Sequence, residues 1–163
     1  MANEHLATYL NDHLAGSVVA VELMQSLESS HENTPVATFV RELRGDIEAD
    51  QKQLQRLMSS LEITESRTRK ASAWLTEELT ALKLRFDDSE DGNLRLFESF
   101  EALSLGIEGK QSLWRALSAA AEISPELRIL DYGVLQQRAQ EQRDRVESKR
   151  IEVARKILAA RSK

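Results

Sequence analysis

The chain of 163 residues contains no cysteine. That excludes disulfides, thiolate metal ligands and a cysteine nucleophile, and it fits a cytoplasmic setting. Proline is almost absent and glycine sparse, with 2 and 6 residues. So few breakers over this length predict long helices. No run approaches the roughly 18 apolar residues of a membrane span. No apolar h-region precedes the first helical pattern either, so neither a membrane anchor nor a signal peptide is expected. Histidine is confined to positions 5, 13 and 31.

What is present suits a globular α-protein. Apolar residues make up 41% and charged residues 30%, a balance that can bury a core without staples. The length predicts a single domain over 1–163. The net charge of −5 is uneven: positions 136–163 hold nine Lys/Arg against four acids, +5, leaving −10 elsewhere. A solvated helix complementing acidic neighbours explains this best. Nucleic-acid association through that helix is the weaker alternative, since acids interrupt the basic run and no aromatics are interleaved.

Apolar spacing of three and four predicts five helices. The first covers 3–29, with Leu6, Leu10, His13, Ser17, Ala20, Met24 and Leu27 on one stripe. The second covers 35–61, opened by Thr34 as N-cap and Pro35 at the first helical position. Its stripe breaks at Asp50 and Gln51, where either a buried polar site or a wet flank fits. A third helix over 66–86 and an acidic loop over 87–92 form a crossover, 62–92. The loop lacks the ligand alternation of a calcium site. The fourth helix covers 93–122, with Phe97, Phe100, Leu103, Ile107, Trp114, Leu117 and Ala121 inward. The fifth is expected over 125–160, opened by Ser124-Pro125, with Leu127, Leu130, Val134, Val146, Ile151, Val153 and Ile157 as its apolar set.

Thr34-Pro35 and Ser124-Pro125 lie 90 residues apart, as do Gly16 and Gly106. This offset implies two similar helical hairpins, 3–61 and 93–161, joined by the crossover. The segments 9–16 (YLNDHLAG), 39–50 (FVRELRGDIEAD) and 98–110 (ESFEALSLGIEGK) resemble a bacterial branch of the ferritin-like proteins, and the resemblance covers nearly the whole chain. It implies an antiparallel four-helix bundle with a helical crossover. Di-metal members of that family use one Glu from each of two helices and a Glu-x-x-His from each of the other two.

Counting residues along the hairpins places Gly16 level with 48–51, and Gly106 level with 138–141. The motif then survives as Glu48-Ala-Asp-Gln51, with Gln in place of His. The second half reads Arg138-Ala-Gln-Glu141 if the offset is exact, or Gln137-Arg-Ala-Gln140 if it slips by one. Because no histidine follows position 31, neither Glu-x-x-His can exist. A conventional ferroxidase or diiron oxygenase is not expected, nor any catalytic residue, cofactor or native metal. The positions of a degenerate centre are His13, Gly16, Glu22, Glu48, Gln51, Gly106, Glu108, Arg138 and Glu141. Iron, manganese or zinc would enter only through a remodelled centre around His13, Glu48, Gln51 and Glu141.

His13 is expected to be buried and bonded to Asp50, Gln51 or Gln111. Glu22, Glu101 and Glu108 are expected to pair with cations such as Arg138 or Lys110. Gly16, Gly106 and Gly109 each cost about 1 kcal/mol against alanine in a helix, which close helix approach would offset. A ligand at the former metal level is the other explanation. The leading functional expectation is a non-catalytic bundle acting through protein–protein contacts, as a homodimer. A metal- or small-ligand-binding protein is the alternative.

Overall fold

The computed structural model describes residues 3–66 and 92–159. Among them the chain is all-helical, with no strand. Four α-helices follow in order: α1 (Glu4–Ser30), α2 (Pro35–Ser60), α3 (Gly92–Ala121) and α4 (Tyr132–Ile157). The expected crossover helix and acidic loop fall almost wholly at 67–91, outside the described residues. None of the four helices is long and apolar enough to cross a membrane.

Local chemistry sets the first hairpin. Asn3 caps α1, its side-chain oxygen accepting from His5 N at 2.9 Å. The chain turns through Asn33 at φ 63°, a left-handed conformation that asparagine tolerates. Thr34 then caps α2 by accepting from Ala37 N, with Pro35 at the first helical position. At the far end Glu62 takes φ 56°. Glu62 N donates to Ser59 O at 3.1 Å and Ile63 N to Met58 O at 2.9 Å. This is a Schellman closure with Glu where Gly is usual, and it buries Ile63.

The second hairpin departs from the expected repeat. Pro125 opens a single 3-10 turn, Pro125–Leu127, and not a long helix. Ser124 makes no side-chain cap. The start of α4 is set by Asp131, whose Oδ1 accepts from Val134 N at 3.0 Å. Arg128 closes α3 by donating to Ala121 O and Glu122 O. Tyr132 Oη donates to Leu127 O at 2.6 Å. These bonds give the α3–α4 connection its own shape, longer than the four-residue α1–α2 turn.

Cross-helix bonds follow from these two connections. Glu28 meets Arg41 and Arg44 at 2.7 and 3.1 Å, Ser17 meets Gln51 at 2.9 Å, and Asn11 reaches Thr64 O at 3.2 Å. Position falls along α1 as it rises along α2, and Gly16 is level with Gln51 as expected. On α3 and α4, Gln111 meets Gln140, Glu108 meets Arg143, and Glu101 meets Arg150. That register sets Gly106 level with Arg145, several residues beyond the expected 138–141. The longer connection is the cause.

α1 packs chiefly on α2, and α3 on α4; α1 also meets α3, and α2 meets α4. The shared core includes Leu10, Met24, Leu27, Val40, Leu43, Leu57, Met58, Phe100 and Trp114, each essentially without solvent contact. Burying each such leucine contributes about 1.5–3 kcal/mol. On α4 the buried set is Tyr132, Leu135, Ala139, Gln142, Val146 and Val153. Val134 and Ile151, expected inside, are exposed.

Candidate functional site: a cavity beside a buried aspartate

A cavity of about 280 Å³ lies between α1, α2 and α3. Its described wall takes Tyr9, Asp12, His13, Gly16, Ser17 and Ala20 from α1, repeating at three and four. From α2 come Leu43, Ile47, Asp50, Gln51 and Leu54. From α3 come Ala102, Leu103, Leu105, Gly106, Ile107, Gly109, Lys110, Leu113 and Trp114. The cavity is partly open to solvent, and Tyr9 and Leu105 in its wall are themselves partly exposed. Most of the wall is aliphatic or aromatic.

The glycines of α3 help to make this space. A Cβ built on Gly106 or Gly109 meets no heavy atom within 4 Å among the described residues. The expected close helix approach is therefore not what offsets these two glycines. They border open volume instead. Gly16 lies in the same wall, so the repeated glycine pair marks the cavity.

Asp50, 1% exposed, forms the polar part of the wall. Its Oδ2 accepts from Lys110 Nζ at 2.6 Å and from Gln142 Nε2 at 2.9 Å. Gln142 Oε1 also accepts from Lys110 Nζ. Arg138 Nη2 stands 2.9 Å from Asp50 Oδ1. That is an ion pair by distance but not a hydrogen bond by direction, since Oδ1 has no hydrogen-bond partner among the described residues. Burial pulls the Lys110 ammonium below the usual lysine range, and the Asp50 carboxylate opposes that pull. The cluster joins α2, α3 and α4. Gln51 joins α1 by donating to Ser17 Oγ, which donates to Leu14 O at 2.7 Å.

The remaining polar wall belongs to α1. The Tyr9 and His13 rings meet edge to face with centroids 4.7 Å apart. Burial lowers the His13 pKa below its ordinary 6.5 and raises the Tyr9 phenol and the Asp12 carboxyl. Asp12 Oδ1 is shielded from solvent without a hydrogen-bond partner among the described residues, as is Trp114 Nε1.

The positions singled out in the sequence divide in two. His13, Gly16, Gln51 and Gly106 line the cavity. His13 makes no hydrogen bond to Asp50, Gln51 or Gln111 among the described residues, contrary to expectation; it packs on Tyr9. Glu22, Glu48, Glu108, Arg138 and Glu141 are not in the wall. Glu48 pairs with Arg44 at 3.1 Å, Glu141 accepts from Gln137, and Glu22 is exposed. Glu108 pairs with Arg143 and Arg115, and Glu101 with Arg150. Glu101 and Glu108 thus have cation partners as expected, but other ones than Arg138 or Lys110.

The two carboxylates expected in a remodelled centre, Glu48 and Glu141, respectively pair with Arg44 and accept from Gln137, and neither lines the cavity with His13. Among the described residues no three His, Asp or Glu side chains are grouped to hold an ion. The basic stretch of α4 is largely committed within the bundle: Arg138 to Asp50, Arg143 to Glu108, Arg145 to Asp46, Arg150 to Glu101 and Glu147, and Lys149 and Lys156 to Glu152. No protein-family model, curated protein or solved structure matches this chain.

Sequence reasoning missed Lys110 and Gln142 as partners of Asp50. The signal for Gln142 was there: it continues Leu135 and Ala139 at helical spacing on the buried face of α4.

Proposed function

We propose that this chain is a ferritin-like bundle of antiparallel helices that binds a small, mainly apolar ligand where a metal centre would lie. The cavity between Gly16 and Gly106 carries this reading, because glycines at its wall keep open a space that alanine or leucine would occupy. Small-molecule sites are concave and largely apolar, with a few placed polar groups. About 280 Å³ is roughly twice the ~150 Å³ cavity that holds a benzene ring. A two-ring or ten-carbon body is the matching size. The opposing residue order of α1 and α2, and of α3 and α4, supports the antiparallel pairing.

Calorimetric titration with naphthalene tests the reading. At about −0.5 kcal/mol per atom, ten carbons give ~5 kcal/mol and a Kd near 0.2 mM. Binding should saturate at one molecule per chain. It should disappear in Gly109→Leu, which fills the space without removing a contact. Absent binding, or equal binding by the filled variant, would refute the proposal.

Self-association as a homodimer is a second reading. It is favoured by Ile123, 86% exposed, with exposed Ile129 and Val134 around the α3–α4 connection. Light scattering tests it. Ile123→Glu should reduce a dimeric mass to that of one chain, and a monomeric wild type would refute it.

A further inference from the structure

Asp50 is shared by two cations. Lys110 Nζ donates to its Oδ2 at 2.6 Å, and Arg138 Nη2 stands 2.9 Å from its Oδ1. Arginine does not give up its proton in a protein. The carboxylate therefore stays compensated when Lys110 releases one. Burial and the nearby Arg138 charge both disfavour the Lys110 ammonium. Desolvation in an apolar pocket and a neighbouring cation are the two features that make a lysine amine nucleophilic.

Position favours the same role. Lys110 belongs to the cavity wall, and its side chain keeps 15% of its surface where Asp50 keeps 1%. The lysine is the accessible member of the pair. Around its nitrogen, Cε, Asp50 Oδ2 and Gln142 Oε1 occupy all but one tetrahedral position. Gly106, one turn earlier on the same face of α3, borders open volume. An electrophile on an apolar body, seated in that volume, lies beside the free position.

We propose that Lys110 forms a reversible imine with an apolar aldehyde bound in the cavity. This rests on the cavity reading above and names the class of ligand for the same site. The ammonium passes a proton to Asp50, and the amine lone pair attacks the carbonyl carbon. A proton moves from nitrogen to the former carbonyl oxygen, giving a carbinolamine. Asp50 returns its proton to that hydroxyl, the C–O bond breaks and water leaves. Ammonium and aldehyde have become iminium and water. The iminium keeps one N–H and one positive charge, so it still pairs with Asp50.

The test is trapping with limiting naphthaldehyde and cyanoborohydride at pH 7, read by intact mass and peptide mapping. The chain should gain the mass of the aldehyde less its oxygen, on Lys110. By exposure alone that lysine would be among the last to react: Lys52 is exposed, and Lys149 and Lys156 keep 39% and 65% of their side-chain surface. Lys110 should instead be labelled about tenfold or more ahead of Lys156, because it holds the larger neutral fraction. Excess naphthalenemethanol should suppress labelling at Lys110 and at no other amine, a readout that needs no variant. Lys110→Met keeps Arg138 on Asp50, and should lose the adduct while still binding naphthalene. An unaltered melting curve shows that the variant folds. Labelling that follows exposure, or labelling of Lys110 that naphthalenemethanol leaves unchanged, refutes the imine, and naphthalene binding then still carries the cavity. Failure of naphthalene to bind and of Lys110 to label overturns both.

Discussion

Replacing Gly106 and Gly109 with alanine separates two explanations for glycine inside a helix. If glycine allows helices to touch, alanine overpacks the contact and costs about 1–3 kcal/mol. If the space is open, alanine gains its helix propensity, about 0.8–1 kcal/mol per site. Neither added Cβ has a neighbour within 4 Å among the described residues. Each single variant should therefore be more stable by about 0.8–1 kcal/mol, and the pair by about 2 kcal/mol if the sites are independent. For a chain of this size that raises Tm by about 4–8 °C. Gly45 provides the control. It is exposed on α2, its Cβ is equally free, and it lies outside the cavity wall. Gly45→Ala should add a similar increment and leave ligand binding alone. Urea unfolding with a constant m-value measures all four variants against the wild type. Destabilisation of Gly106→Ala or Gly109→Ala by 1 kcal/mol or more, with Gly45→Ala stabilised, would show that the helices do meet at those glycines.

Other perturbations bear on the polar groups and the caps. Asp50→Ala leaves Lys110 buried without its carboxylate and should cost about 3–5 kcal/mol in urea unfolding. Asp50→Leu with Lys110→Met should recover most of that, and no recovery would count against a paired-charge role. His13 has a pKa depressed from 6.5 by burial, so the unfolded chain binds its proton more tightly. Stability should fall as pH drops through 6.5 and level off below the folded-state value, by at most about 1.4 kcal/mol per pH unit. A His13→Gln variant with the same slope between pH 6.5 and 5 would assign that loss elsewhere. Asp131→Ala should lower stability by about 1 kcal/mol as a lost N-cap, while Ser124→Ala stays within ~0.5 kcal/mol. The reverse order would restore the helix start expected at Pro125.

The helical elements were legible because their signals are local. Thr34-Pro35 marks a helix start by bonding chemistry that a few residues contain, and α2 begins there. Ser124-Pro125 offers similar chemistry but opens a 3-10 turn, because Arg128, Asp131 and Tyr132 bind the nearby backbone and delay the next helix. That delay shifts the α3–α4 register and removes Arg138 and Glu141 from the expected level. The break at Asp50 was visible as an interruption of the apolar stripe. Its partners were not, since Lys110 and Gln142 are 60 and 92 residues away. Nothing local distinguishes a lysine that reaches a buried acid from one that reaches water. The glycine pair lines the cavity, but the sequence left its cause open, and packing separates contact from open space only at Gly106 and Gly109.

The cavity and the Asp50 cluster are best understood together. An empty apolar void of 280 Å³ would cost about 7 kcal/mol at ~24 cal/mol per Å³, comparable with the whole stability of a domain. The cavity is not fully enclosed, which reduces that sum. The remaining tendency is for α1 and α3 to close upon it. Asp50 resists closure on one side by tying α3 and α4 to α2 through Lys110, Arg138 and Gln142. Gln51, the next residue, fixes α1 to α2 through Ser17. Adjacent side chains of one helix thus hold both neighbours at a set distance, with the cavity between them. If that spacing is their role, Gln51→Ala should weaken naphthalene binding by more than its small effect on stability accounts for. A variant losing only stability would leave the bonds as simple cross-links.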